Sequence, residues 1–111
     1  MEHKIKTEKT HWVKIYISGP LYVIEQTCRK YCMHCPVCVT VDNTKFIYPG
    51  GEQVGAVIGL INYPRFPASN DKIEEQALDL SIKLLKATHQ DSALIMTPEW
   101  TQWIRREDRN A

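Results

Sequence analysis

The apolar residues of this chain change period four times along its length, and that order restricts the fold more than any other feature. "HWVKIYIS" (11–18) alternates: Val13, Ile15 and Ile17 fall on one side, and Trp12, Lys14 and Tyr16 on the other, as in a half-buried strand. Gly19-Pro20 ends it. From Leu21 to about Cys35 the apolar residues follow a helical period, until Pro36 stops the segment. "VCVTV" (37–41) and "TKFIY" (44–48) are two more alternating runs, parted by the turn residues Asp42-Asn43. Val54 to Tyr63 predicts a central strand, interrupted by Gly55 and Gly59. Ser69, Asn70 and Asp71 supply capping side chains for a second helix over about Lys72 to His89. Its stripes Ile73/Ala77/Leu80/Leu84 and Leu78/Ile82/Leu85 lie side by side, a wider apolar arc than the ~100° a surface helix needs. "ALIMT" and "WTQWIR" close the chain as two strands turning at Pro98-Glu99. The order β-α-β-β-β-α-β-β predicts an α+β fold: a mostly antiparallel sheet of about six strands with two helices on one face, close to a ferredoxin-like plan. Residues 1–10 read as a flexible polar tail, 11–106 as a single α+β domain and 107–111 as a charged C-terminal tail.

Composition narrows the partners. A net charge of +1 lacks the basic excess with which a polymer-binding protein displaces counterions, so no nucleic-acid polymer is expected. No apolar run approaches the ~20 residues that cross a bilayer, and "MEHKIKTEKTH" has no apolar core of a signal peptide. A cytoplasmic protein with its four cysteines reduced, and no membrane partner, is the expectation.

All four cysteines lie in "CRKYCMHCPVC" (28–38), which raises the question of a metal. On a helix, Ile24, Cys28, Tyr31, Cys32 and Cys35 fall on one stripe, the pattern of a buried face. A tetrahedral zinc site draws its ligands from two separated knuckles, which three cysteines on one helix do not provide. Packed thiols are therefore expected, with a small metalloprotein built on Cys28–Cys38 as an alternative. His3, His11, His34 and His89 are scattered and read as solvent-facing, while Glu74, Glu75, Asp79 and Asp91 read as a solvated helix face. "KIYISGP" is similar to the opening strand and turn of nucleoside deoxyribosyltransferases, but the later carboxylate motifs of those enzymes are missing. With no nucleophile signature either, the chain is expected not to be an enzyme and to need no cofactor.

The unusual stretch is "GLINYPRFP" (59–67), where Pro64 and Pro67 bracket Arg65-Phe66. Proline fixes φ and restrains the residue before it, so the pair sits on a stiff loop with little entropy to lose on binding. Arg65 offers a planar fork for phosphate, Tyr63 and Phe66 offer rings for a base, and Asn62 an amide for a base edge. Gly50-Gly51, after "FIYP", can turn backbone amides toward an anion. Trp100 and Trp103 fall on opposite faces of the last strand. With the wide apolar arc of the second helix they predict a homo-oligomer, into whose shared site Arg105 and Arg106 could point.

The run "CVTV…FIYPGGE…GLINYPRFP" resembles the phage and prophage Thoeris anti-defence sponges, over roughly residues 12–104. That resemblance implies sequestration, without cleavage, of a small cyclic nucleotide or cyclic ADP-ribose-like immune signal in the cytoplasm of an infected bacterium. Asn62, Tyr63, Arg65, Phe66, Gly50, Gly51, Arg105 and Arg106 are then the expected ligand-binding residues. A protein inhibitor that binds a host factor through a surface strand or helix is the other reading.

Overall fold

The computed structural model describes residues 2–106. The alternating and helical segments become β1 (Trp12–Ser18), α1 (Leu21–His34), β2 (Val39–Tyr48), β3 (Gly51–Ile61), α2 (Asn70–Thr88), β4 (Ser92–Met96) and β5 (Thr101–Arg105). The strands lie in the order β2-β3-β1-β4-β5, every neighbour antiparallel. Both helices are crossovers that skip a strand position, so they pack on the same face of the sheet. β1 to β4 with α1 and α2 make the ferredoxin-like plan, and β5 adds one strand outside β4.

Five strands form where about six were expected. Asp42 and Asn43 do not turn the chain; they pair with Val57 and Ala56 inside one ten-residue strand. The reason is register. Val39 and Val41 are partly buried and Thr40 and Asp42 exposed, and the pairing to β3 runs without a break from Val39 to Tyr48, past the supposed turn. Ten paired positions along β3 then outweigh the local turn preference of two residues.

β1 contributes Val13, Ile15 and Ile17 to the core, β3 Ala56, Ile58 and Leu60, and β4 Ala93 and Ile95. Against them α1 lays Ile24, Cys28 and Tyr31, and α2 lays Ile73, Ala77, Leu80, Leu84 and Leu85. Each buried Ile or Leu is worth roughly 1.5–3 kcal/mol, which makes this single layer contact the main support of the fold. Gly19 allows the close approach of α1's entry to α2: its φ is 141°, and a Cβ there would stand 3.0 Å from Thr88. Ser69 Oγ caps α2 by accepting from the Lys72 N–H, and His89 ends it in the left-handed region with φ 58°.

The cysteine stripe is a core stripe that surfaces toward its end. Cys28 is buried, Cys32 and Cys35 are partly buried, and Cys38 is exposed. Burial, helped by the neighbouring Cys32 and Glu25, pushes the Cys28 thiol up to about 11.

The face of the sheet away from the helices is uncovered in the single chain. Trp12, Tyr16, Val57, Ile61, Leu94, Met96 and Trp103 share it, and Trp103 is 61% exposed. Two cations lie over its rings, Lys14 at 5.2 Å from Trp12 and Arg105 at 5.7 Å from Trp103.

Candidate active site

The residues expected to bind a ligand occupy opposite ends of the sheet. Gly50-Gly51 form the β2–β3 turn, while Asn62 to Phe66 follow the other end of β3, about 33 Å away at the rise of a strand. Arg105 pairs with Ser92 at the end of β4 remote from Met96, whereas Asn62 sits beside β1's start, where Trp12 pairs with Ile61. One chain therefore assembles only Asn62, Tyr63, Arg65 and Phe66; Gly50, Gly51, Arg105 and Arg106 stand apart from them.

Asn62 is engaged as a clamp. Its backbone N–H donates to the His11 carbonyl (2.9 Å), its Nδ2 to the Lys9 carbonyl (2.8 Å), and its Oδ1 accepts from the Ala68 N–H (3.0 Å). An amide held on both sides has little left with which to read a base edge. Its work is to tie the loop to residues 9–11. Beyond it the Phe66 N–H donates to the Tyr63 carbonyl (2.8 Å), closing a tight turn. The two rings stand 6.0 Å apart and the Arg65 guanidinium 5.4 Å from the Phe66 ring. Phe66 is 58% exposed, so it is not a core residue but an uncovered ring on a braced turn.

Next to this turn the structure builds a cleft that the sequence did not announce. Its walls are Asp71, Glu74 and Glu75 from the first turns of α2, Leu78, Ile95, and Trp100 and Gln102 from the β4–β5 hairpin, around about 300 Å³. Trp100 is set by Thr97, whose buried hydroxyl accepts from the N–H groups of Glu99 (3.2 Å) and Trp100 (3.1 Å). Glu74 is the hinge between cleft and turn. Its Oε2 lies 2.9 Å from Nε2 of His11, the residue whose carbonyl Asn62 holds. The contact is an ion pair only when the His11 ring carries its second proton.

Two expectations are overturned here. His11 is not solvent-facing but 5% exposed, and Glu74 turns inward from the helix face assigned to solvent. Both were readable in principle. His11 is in phase with Val13, Ile15 and Ile17, and Glu74 extends the Leu78/Ile82/Leu85 stripe by one turn.

Chemically, carboxylates beside an indole face attract a cation that carries an apolar or flat body. Among the described residues no cluster of three or more His, Cys, Asp or Glu is arranged to hold a metal ion. Arg105 and Arg106 line a different feature, a groove of about 670 Å³ between α2 and β5. No helix of the described residues is long and apolar enough to cross a membrane.

No protein-family model matches the chain, and no curated protein matches it. Two solved structures share its fold. A phage SAM lyase in the apo state superposes with a TM-score of 0.66 at 14% identity, covering 90% of this chain and 92% of that one. A phage SAM lyase in complex with S-methyl-5'-thioadenosine gives 0.66 at 10% identity, covering 99% and 100%. Both neighbours are phage proteins, and one holds a small nucleoside-like ligand, which agrees at that level with the phage-type, nucleotide-like reading. Nothing in them bears on Thoeris. Two expectations are corrected by them: a sponge that leaves its ligand intact, and a protein that is not an enzyme. The chains that share this fold from end to end are lyases.

Proposed function

We propose that this chain is a small phage-type lyase that cleaves S-adenosylmethionine (SAM) to methylthioadenosine, acting in the cytoplasm of the infected host. The observation that carries the reading is the fold shared with SAM lyase over 90% or more of the chain, including the form bound to methylthioadenosine. The acidic, Trp-walled cleft supports it, because SAM is a cation at both its sulfonium and its ammonium.

The reaction suits a site without a catalytic triad. When the bond between sulfur and the γ-carbon breaks, sulfur takes the electron pair and leaves as a neutral thioether, so no general acid is required. The substrate's own carboxylate can form the new bond to that carbon, closing a five-membered lactone. The protein then contributes orientation and exclusion of water, effects that reach ~7–11 kcal/mol when geometry is good. A carboxylate placed on the sulfonium would stabilise the ground state more than the transition state, in which that charge fades. Glu74 is therefore assigned to the α-ammonium, whose charge persists, and Trp100 to the apolar wall. The Tyr63–Phe66 turn takes the adenine, and Arg65 its edge.

The working unit is a homo-oligomer formed on the uncovered sheet face around Trp103. Gly50, Gly51, Arg105 and Arg106 can join the Asn62–Phe66 end only from a second copy. The test is incubation of the purified protein with SAM and chromatography of the products. Methylthioadenosine should accumulate; SAM left intact at micromolar enzyme would end the reading.

A further inference from the structure

We propose that Cys32 and Cys38 form a dithiol site, which a low-molecular-weight disulfide of the glutathione type oxidises reversibly to a bond between the end of α1 and the start of β2. The lyase reading makes no use of the cysteines. They lie toward the β2 edge of the sheet, whereas the acidic cleft is built on β4 and β5 at the other edge.

The short link between the two elements brings the thiols together. α1 ends at His34, the Cys35 N–H donates to the Tyr31 carbonyl (2.9 Å), and the Val37 N–H donates to the Cys35 carbonyl (2.7 Å). This reversal around Pro36 turns the chain back, and β2 begins at Val39. Cys28 and Cys32 then line, with Val39 and Val41, a hollow of about 310 Å³ between helix and strand. The Val39 backbone N–H donates to the Cys32 sulfur. Val39 N is two bonds from Cys38 Cα, so that Cα lies within roughly 6 Å of the sulfur. A disulfide joins Cα atoms about 4.4–6.8 Å apart. Cys38 belongs to neither element, so its backbone can make the remaining adjustment.

The other two cysteines are placed less well. Cys35 lines a different hollow, toward α2, with Tyr31, His34, Gln76 and Asp79. Cys28 is buried, and that burial is the main cause that pushes its thiol up to about 11, so it keeps its proton. Burial raises the Cys32 thiol as well, the Val39 N–H offsets part of this, and Cys38 raises it more than Cys35 does. That order agrees with a Cys38 sulfur nearer to Cys32 than the Cys35 sulfur is.

Exposure sets the sequence of events. Cys38 is exposed and meets the oxidant first: its thiolate attacks one sulfur, a mixed disulfide forms and one glutathione thiolate leaves. Cys32 then loses its proton and attacks the Cys38 sulfur, expelling the second glutathione thiolate. The two cysteines give up two protons and two electrons, and the small disulfide becomes two thiols. The product ties the edge strand to the helix until a reductant reverses it.

The test is equilibration of the full reduced chain in buffers of glutathione and glutathione disulfide, then alkylation of the remaining thiols and mass spectrometry of the intact chain and its fragments. The oxidised chain should take up two alkyl groups fewer than the reduced one, with the bond mapped to Cys32 and Cys38. Cys32→Ser should stop at one glutathione on Cys38. Cys38→Ser should need at least a tenfold higher ratio of disulfide to thiol before any internal bond forms, while Cys35→Ser should oxidise as the wild type does. A chain that keeps all its thiols, a bond mapped to Cys35, a Cys38→Ser chain that oxidises as readily as the wild type, or bonds formed only between chains would each overturn the site. None of these readouts uses SAM, so the outcome is independent of the lyase reading.

Discussion

Glu74→Gln separates a functional carboxylate from a structural one. The amide keeps the shape of the side chain and can still face His11 Nε2, now 2.9 Å from the carboxylate, but the negative charge is gone. If Glu74 holds the substrate ammonium, a charge-assisted contact worth about 1.5–3 kcal/mol disappears, and kcat/KM for SAM falls roughly ten- to a hundredfold. Because that charge is the same in ground and transition states, most of the loss should come as a raised KM. The fold should hardly notice. Glu74 is partly exposed, so its contact with His11 is screened and the melting temperature should shift by no more than about 4–8 °C, the equivalent of 1 kcal/mol. Steady-state release of methylthioadenosine and a thermal melt on the same sample read the two effects. Unchanged kinetics with a melt lowered well beyond that range would refute the assignment and leave Glu74 as the structural partner of a buried histidine.

Four further outcomes are expected. Phe66→Ala should weaken methylthioadenosine binding by about 1–3 kcal/mol in calorimetry with little change in the melt, because the ring is exposed and not part of the core. Trp103→Ala should lower the mass of the sheet-face assembly in light scattering, and an unchanged mass would remove that face from the interface. Cys38 should react with iodoacetamide first and Cys28 last. Since the folded Cys28 thiol is raised from 9.0 to about 11, the folded state keeps the proton longer than the unfolded chain. Stability from this group is thus full below pH 9 and lost between 9 and 11, and Cys28→Ala should flatten that fall in the melting temperature.

The fold was legible because period survives without context. Alternation at 13–17 and the stripes of the second helix named the core residues of β1 and α2, whereas the break at Asp42-Asn43 was misread and the strand expected over Val54 to Tyr63 runs from Gly51 to Ile61. There the local signal was a turn, and the deciding contact lay in β3, at Val57 and Ala56. The site was less legible for the same reason. Tyr63, Arg65 and Phe66 announce themselves as a local run with two prolines, whereas the cleft joins residues 71–78 to Ile95, Trp100 and Gln102. Nothing in the spacing of those segments says that a hairpin and a helix start will meet. Gly50-Gly51 looked close to Asn62 in sequence, yet an extended strand between them carries the two ends apart.

The absence of a nucleophile, a paired base or a metal cluster weighed against an enzyme only on the assumption that the protein must activate its substrate. A sulfonium arrives already activated: its leaving group is a neutral thioether, and the nucleophile belongs to the same molecule. For such a reaction the expected machinery is a dry, shaped pocket with one fixed charge to orient the amino-acid end. The Trp100 wall, the inward Glu74 and the buried His11 beside it are parts of that kind. They are the residue types that a sequence reader assigns to packing or to solvent. What distinguishes them is position, the convergence of the start of β1, the first turn of α2 and the β4–β5 hairpin at one end of the sheet. A chain of this size can therefore carry a lyase site without any motif that spells one. The search for catalysis in such proteins belongs with inward polar pairs such as His11 and Glu74 before it turns to signatures.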